Sequence, residues 1–250
     1  MEVEKFNHYE VESVTSKRHS IGEMLAAMQP QDGDDEQKFG PPVDFSFRDA
    51  HKMSDFTKAT PRQGVHSYVT IPVTLPSIEP ASSATPSGEK EQVADDDTKT
   101  KHVKYSSKAI RFSNNSISSF DGFATTLHAI LQSTETLEWL DLSFNDLTKI
   151  SEAILELSNL KVLYLHANVI DDMKQVDKLA GLPNLKTLTL HGNIIDGAKG
   201  YRQYVVTEIP QLQYFDFSRI TKADRDKAVT WRQLKIIGHH KKKKKAEKKD

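Results

Sequence analysis

Between Leu137 and Ile195 the chain repeats one pattern of apolar and polar positions three times. Each copy has the spacing L-x-x-L-x-L-x-x-N, followed two residues later by a leucine or an isoleucine. The positions are Leu137, Leu140, Leu142, Asn145 and Leu147, then Leu160, Leu163, Leu165, Asn168 and Ile170, then Leu185, Leu188, Leu190, Asn193 and Ile195. The asparagines are 23 and then 25 residues apart. A pattern with this period predicts a stack of similar strand-and-turn units.

The L-x-L part of each copy predicts a short strand whose two leucines point to the same side, because side chains alternate along a strand. The asparagine follows the strand, where the chain bends, and its amide can bond backbone groups that the bend leaves unpaired. One unit cannot bury its own leucines, so neighbouring units must stack. The pattern is typical of leucine-rich repeats. We therefore predict an α/β solenoid, an arc with a parallel sheet on its concave side.

Weaker matches to the pattern predict a cap at each end of the arc, within a folded domain over residues 104–238. A degenerate first repeat with Asn115 in the asparagine position precedes an amphipathic helix. After Asn193, a helix ended by Pro210 is followed by an aromatic L-x-x-L-x-L copy, and Thr221 begins a final helix. The apolar residues predicted to face the core in these caps are Ile110, Phe112, Ile117, Phe123, Leu127, Ile130, Leu212, Phe215, Phe217, Ala228, Trp231 and Leu234.

Three segments outside this domain have compositions that do not favour a core. Residues 1–38 are predicted to be an acidic, disordered arm with one short helix over residues 20–29. Residues 57–103 are rich in Pro, Ser, Thr and Asp and are predicted to be a disordered linker, since they cannot bury enough apolar area to offset chain entropy. Residues 239–250 form a lysine-rich tail.

Residues 39–56 differ from these segments because they combine aromatic residues with a rigid Pro-Pro pair. Pro41, Pro42, Phe45 and Phe47 make this stretch too apolar to be a simple spacer and too short to fold alone. We predict an extended docking segment that lies on a surface of its own chain or of a partner.

Charge is unevenly distributed along the 250 residues, although the net charge is only −1. Residues 1–100 contain 10 Lys and Arg against 18 Asp and Glu, a net charge of −8, whereas residues 239–250 contain 7 against 2, a net charge of +5. The tail could meet an acidic protein surface such as a microtubule, or act as a nuclear import signal. There is no cysteine for disulfides or thiolate metal sites. No apolar run reaches the length of a signal peptide or a membrane span, so we expect a cytoplasmic protein without a membrane partner.

The exposed sides of the predicted strands form columns, because neighbouring strands lie about 4.8 Å apart. One column contains Trp139, and the next two contain Tyr164 and the pair His166 and His191. Exposed aromatic residues on a rigid scaffold are typical of protein-binding hot spots. The residues predicted to bind a protein partner on this concave face are Trp139, Asp141, Phe144, Tyr164, His166, Thr189, His191 and Tyr214. The alternative is that Phe45 and Phe47 of the same chain cover Trp139.

Enzymatic chemistry is not expected at this face. His166, His191 and Asp141 suggest a metal or acid–base site, but a catalytic zinc site normally has three protein ligands and a water in a more enclosed position. No nucleophile lies beside them, and the chain has no glycine-rich phosphate-binding loop. We therefore predict no catalytic, cofactor-binding or metal-binding residues and no small-molecule substrate. Arg111 is balanced by Asp141 and Asp216, so we do not expect nucleic-acid binding through the repeats.

Several stretches resemble the leucine-rich repeat-containing protein 51 family. These stretches are 41–48, 140–148, 162–166, 188–193 and 200–205. The repeats and the C-terminal cap also resemble those of a phosphatase regulatory subunit, an axonemal dynein light chain and a spliceosomal adaptor. The resemblance covers residues 39–63 and 104–237 and implies a cytoplasmic, non-catalytic protein of organisms that carry cilia.

The pattern and the resemblance together predict a non-catalytic scaffold that binds a protein partner through the concave face, in a ciliary or axonemal assembly. A second hypothesis treats the repeats as an inert spacer, with the docking segment and the lysine tail making the contacts. A nuclear adaptor is a further alternative.

Overall fold

The structure is a computed structural model that describes residues 39–62, 67–71 and 102–246. The strands are β1 (Val43–Asp44), β2 (Ser67–Ile71), β3 (His102–Ser106), β4 (Ala109–Arg111), β5 (Trp139–Asp141), β6 (Val162–Tyr164), β7 (Thr187–Thr189), β8 (Tyr214–Phe215) and β9 (Ser218–Arg219). The α-helices are α1 (Phe123–Ile130), α2 (Tyr201–Glu208) and α3 (Lys222–Ala246). Short 3-10 helices span Met53–Thr57, Glu152–Glu156, Met173–Gly181 and Ile194–Gly197. The helix predicted over residues 20–29 lies outside the described residues.

Seven strands form one sheet in the order β1-β4-β5-β6-β7-β8-β9. All neighbouring strands are parallel except the terminal pair β8 and β9. Leu140 pairs with Ile110 on one side and with Leu163 on the other, and Leu163 pairs with Leu188. Equivalent leucines are therefore stacked one above another. This register confirms the predicted leucine-rich repeat solenoid.

The leucines of the pattern form one continuous core on one side of the sheet. Leu140, Leu163 and Leu188 are fully buried in it, together with the isoleucines that close the repeats. Burying a side chain of this size stabilises a fold by about 1.5–3 kcal/mol. Helix α1 adds its predicted apolar face, with Phe123 and Leu127 buried, so the N-terminal part of the arc is covered by a helix as expected.

The side chains of the asparagines connect neighbouring repeats through hydrogen bonds. The Asn168 side-chain NH2 donates to the carbonyl oxygens of Leu165 and Leu142, both at 3.0 Å, and its Oδ1 accepts the Leu147 N–H at 3.0 Å. One amide therefore bonds backbone groups of its own repeat and of the preceding repeat, and the same arrangement recurs at Asn145 and Asn193. The predicted backbone-bonding role of these asparagines is confirmed.

The N-terminal end of the sheet is built by the docking segment. Val43 and Asp44 pair in parallel with Ile110 and Arg111, so β1 acts as an additional repeat strand. The sequence Val-Asp-Phe-Ser-Phe of residues 43–47 occupies the positions that Leu-Asp-Leu-Ser-Phe occupies in residues 140–144. The Asn115 amide donates to the Phe45 carbonyl at 3.0 Å, which extends the asparagine bonding by one unit.

Aromatic residues of this segment close the core. Phe45 lies 5.7 Å from Phe112 and 5.5 Å from Phe56, and all three rings are buried. The docking segment thus lies on its own repeats. Phe47, in contrast, is 65% exposed. Neither Phe45 nor Phe47 covers Trp139, so both of those candidates were wrong.

The C-terminal cap follows its predicted order, with α2, the β8–β9 hairpin and then α3. The Arg202 guanidinium contacts the Asp224 carboxylate at 3.3 Å and donates to the Phe215 carbonyl, which joins α2 to both later elements. The bonds from Arg202 and Thr221 hold the pKa of Asp224 below its usual range. Of the residues predicted to face the core from α3, Ala228 is buried but Leu234 is exposed.

Two predicted boundaries need correction. Helix α3 continues to Ala246, so no break in the backbone separates the cap from the start of the lysine-rich tail at residue 239. Within the predicted disordered linker of residues 57–103, the described residues Ser67–Ile71 form a strand that pairs antiparallel with β3. The strand fits its local sequence, because Tyr68, Val69, Thr70 and Ile71 are all residue types that are enriched in strands. Within the described part of the chain, no helix has the length and apolar character needed to cross a membrane.

Candidate partner-binding face

The side of the sheet opposite the leucines is the concave face, and the strand register places its residues in columns. Trp139 pairs with Ala109 and Val162, and Asp141 pairs with Tyr164 of the next strand. These pairings agree with the columns predicted from the repeats. Trp139 and Leu140 are neighbours in sequence, yet they belong to different apolar clusters because successive side chains point to opposite faces.

Aromatic rings of three consecutive units meet on this face. The Trp139 and Tyr164 rings are 5.7 Å apart in an edge-to-face arrangement, and Tyr164 contacts His166 at 5.9 Å. Phe144 lies edge-on to His166 at 5.3 Å, and His166 stacks in parallel on His191 at 4.8 Å. Pairs with these geometries contribute about 0.5–1.5 kcal/mol beyond area burial. The structure therefore brings together five of the eight predicted concave-face residues.

Phe217 is a member of this cluster that the sequence pattern assigned wrongly to the leucine core. Its ring contacts Tyr164, His166 and His191 at 5.3–5.8 Å. After β8 the chain turns through Asp216 and Phe217, both at positive φ, and returns antiparallel as β9. This turn moves Phe217 to the concave face. The sequence signal that could have indicated it is the missing asparagine after the last L-x-x-L-x-L copy.

The predicted exposure of this face was wrong at its centre. Trp139 is 4%, His166 7% and Tyr164 9% exposed, and Thr189 is completely buried. Phe39 of the docking segment belongs to the same buried apolar cluster as Trp139 and Tyr164. An aromatic residue of the same chain is thus clustered with Trp139, as the alternative predicted, but it is Phe39 and not Phe45 or Phe47. The half-buried or exposed members are Phe144, His191, Phe217 and Tyr214.

The two histidines are held by hydrogen bonds. His166 Nδ1 lies 2.8 Å from the Thr189 hydroxyl, and His191 Nδ1 lies 3.2 Å from Asp216 Oδ1. Asp216 also accepts the Tyr201 hydroxyl at 2.9 Å, which connects the concave face to α2. Burial, reinforced by His191, lowers the pKa of His166 to about 3, so this ring is neutral at physiological pH. Burial and the adjacent Asp216 raise the pKa of Tyr201.

Asp141 takes part in a charged row at the N-terminal end of the face. The Arg111 guanidinium lies between Asp44 at 3.8 Å and Asp141 at 3.5 Å, and it also lies over the Trp139 ring at 5.3 Å. Burial raises the pKa of Asp141, while bonds from Ser143 and the Arg111 charge act in the opposite direction. The row compensates charge inside the protein, which gives Asp141 a structural role besides its predicted role in partner binding.

Two buried polar atoms of the concave face have no hydrogen-bond partner. They are the indole N–H of Trp139 and Nε2 of His191. Leaving such a group unsatisfied costs about 1–3 kcal/mol. Both atoms could be satisfied by peptide groups of a bound protein. Within the described residues, no group of three or more His, Cys, Asp or Glu side chains is arranged to hold a metal ion.

Comparisons with known proteins cover most of the chain. A family model described as leucine-rich repeat matches residues 103–246. Over 196 residues the chain is 38% identical to leucine-rich repeat-containing protein 51 of Bos taurus and 36% identical to that of Homo sapiens, covering 78% of this chain and 87% of each relative. Among solved structures, the Drosophila melanogaster SNF/U2A′ complex is similar with a TM-score of 0.43 and 27% identity, over 50% of this chain and 67% of that chain.

Proposed function

We propose, on the premise that this chain belongs to the leucine-rich repeat-containing protein 51 family, that it is a non-catalytic scaffold that binds a protein partner through its concave face. Leucine-rich repeat proteins are protein-interaction modules, and their stacked units form extended binding surfaces. The repeats here supply a rigid support, because their strands share one core and one row of asparagine hydrogen bonds.

The observation that carries this proposal is the second apolar cluster, on the side of the sheet that the leucine core does not use. It contains Trp139 and Tyr164, with Phe217 packed against it. Tryptophan and tyrosine are enriched among the residues that dominate binding energy at protein interfaces. Next to this cluster, Tyr214 is 42% exposed and provides a ring that a partner can reach directly.

We further propose that the protein acts in the cytoplasm, in a ciliary or axonemal assembly. This part rests on the family resemblance alone. Immunofluorescence of the endogenous protein in ciliated cells, with an axonemal marker, tests it directly, and a signal confined to the nucleus would overturn it.

The binding face can be tested with two matched double variants. Trp139→Ala with Tyr164→Ala removes an edge-to-face Trp–Tyr pair from the concave face, and Trp231→Ala with Tyr204→Ala removes a similar pair, with rings 6.0 Å apart, from the C-terminal cap. We expect the concave variant to lose the partner recovered with the wild-type chain and the cap variant to keep it. Crosslinking mass spectrometry on the wild-type complex should map the partner beside Tyr214.

A second candidate function is favoured by one observation on α3. Val229, Leu234, Ile236 and Ile237 are exposed apolar side chains on this helix, which continues into the lysine run. The spacer hypothesis assigns the partner contacts to the docking segment and to the lysine tail at this end of the molecule. It predicts that both double variants keep the partner and that deletion of residues 239–250 or of residues 1–100 abolishes the localisation of the protein.

A further inference from the structure

We infer that the pocket formed by Ala109, Trp139, Val162 and Tyr164 binds a phenylalanine side chain presented by a peptide segment of the partner, and that this phenylalanine displaces Phe39 of the chain itself. The inference rests on the proposed concave-face function and specifies the chemistry of the partner. It assigns Phe39 the role of an internal competitor.

The first support is the occupant seen in the structure. Phe39 is 5% exposed and belongs to the same buried apolar cluster as all four pocket residues, which come from three different strands. It does not belong to the leucine core. A phenyl ring is therefore accommodated among these residues.

The second support is the way in which Phe39 reaches the pocket. Gly40 has φ +77°, a conformation that other residues rarely adopt, and the following Pro41 and Pro42 lead into β1. The glycine lets the chain turn just before the strand, so that Phe39 lies over the sheet face. Phe39 itself has a helical backbone conformation, and the turn at Gly40 follows directly after it. A single residue beside a turn thus delivers the ring to this pocket, which is a property that a partner peptide can share.

The third support is the unpartnered hydrogen-bonding group inside the pocket. The Trp139 indole N–H is buried without an acceptor while Phe39 is in place. Every residue of a peptide carries a carbonyl oxygen, so an incoming segment can offer the acceptor that the internal segment does not offer. A partner peptide can therefore gain a hydrogen bond that Phe39 and its neighbours lack, which allows it to compete with a tethered ligand.

The sequence contains two tryptophans, Trp139 and Trp231. The test uses the full chain with Trp231→Phe, so that Trp139 is the only tryptophan that remains. In this background, Phe39→Ala empties the pocket, and Phe47→Ala is the matched control because it removes an exposed ring eight residues away. The probe is an end-blocked peptide of residues 36–42, Glu-Gln-Lys-Phe-Gly-Pro-Pro, and its analogue with alanine in place of phenylalanine. Fluorescence of Trp139 is measured during titration to millimolar peptide.

We expect the phenylalanine peptide to change Trp139 emission saturably in the Phe39→Ala chain, and the alanine peptide to have no effect. In the Phe47→Ala chain the same response should need at least about tenfold more peptide, since a short tether gives Phe39 an effective concentration in the millimolar range or above. No saturable response in the Phe39→Ala chain, or equal responses to both peptides, would overturn the inference. Equal titration curves in the two chains would overturn the role of Phe39 as a competitor.

A second variant protects the test against loss of folding. If Phe39→Ala abolishes cooperative unfolding, Gly40→Val displaces Phe39 through the backbone and leaves the ring and the pocket intact, with the same expected titration. Failure of the inference is distinguishable from failure of the proposed function. Partner recovery that depends on Trp139 and Tyr164, combined with peptides that do not discriminate, would overturn the inference alone.

Discussion

The two sides of the same sheet are stabilised in different ways. On one side, Leu140 and Leu163 repeat the same residue in the same position, and each is fully buried. On the other side, the residues next to them are Trp139 and Val162, and this side combines aromatic, histidine and charged side chains. The leucine side is regular because every unit must bury the same surface against its neighbours. The concave side is free of that requirement, so its residue types can differ from strand to strand.

Burial alone does not distinguish the two sides, because Trp139 and Tyr164 are nearly as buried as the leucines. The hydrogen bonds of their polar side chains do distinguish the two sides. The Asn168 side-chain amide at a strand end bonds only backbone groups, through both its nitrogen and its oxygen, whereas the concave side leaves Trp139 Nε1 and His191 Nε2 unsatisfied. Unsatisfied buried groups are rare in proteins, so each needs an explanation, and the proposed partner would supply one for these two atoms.

The largest expected difference in stability is between substitutions at two adjacent residues, one on each side of the sheet. Leu163→Ala should lower the free energy of unfolding by about 2–5 kcal/mol, because it leaves a cavity in the continuous core. Val162→Ala removes a smaller side chain from the concave cluster and should cost at most about 2 kcal/mol. Urea unfolding measures both variants. Equal losses would mean that the concave cluster contributes as much to folding as the core does.

A smaller effect is expected from the asparagines. Asn168→Ala leaves the Leu147 N–H and two carbonyl groups without their partner inside the protein, and should cost about 2–3 kcal/mol. Asn115→Ala acts at the half-buried N-terminal end, where water can replace the lost bonds, and should cost about 1 kcal/mol. Thermal unfolding of the two variants checks this order, and the reverse order would contradict the role of the asparagine row.

A third effect depends on pH and tests the concave side. Because the pKa of His166 is lowered to about 3, the unfolded chain binds a proton below about pH 6.5 that the folded chain does not accept. Stability should therefore fall as the pH decreases from 6.5 toward 3, by up to about 1.4 kcal/mol per pH unit from this group. The nearby charged groups are His191, which favours the lowered pKa, and Asp216, which opposes it.

The measurement is urea unfolding between pH 7 and pH 4.5. His166→Gln should remove part of the pH dependence, whereas the control His128→Gln, at an exposed histidine of α1, should leave it unchanged. Identical pH profiles for the wild-type chain and His166→Gln would show that His166 is not buried in its neutral form.

The two ends of the solenoid show where prediction from sequence works. The C-terminal cap follows the repeats without interruption, so its helices could be located from Pro210 and Thr221. The N-terminal unit is β1, whose residues lie 67 positions before their partners in the strand that it pairs with. Its Val-Asp-Phe-Ser-Phe motif lacks the asparagine that ends the other repeats, and it lies far from them in the sequence. The repeat pattern therefore did not identify it as a repeat. Pairing between distant segments depends on tertiary contacts that a local pattern does not contain.

The amino-acid sequence alone determined the repeat period, the stacked leucines and the backbone role of the asparagines, because these follow from alternation along a strand and from the need of each unit to bury its apolar side. Only the tertiary structure decided what covers the concave side. Phe39 reaches it through the left-handed turn at Gly40, and Phe217 through the turn at Asp216. Both placements depend on backbone conformations that are stable only when the rest of the fold is in place.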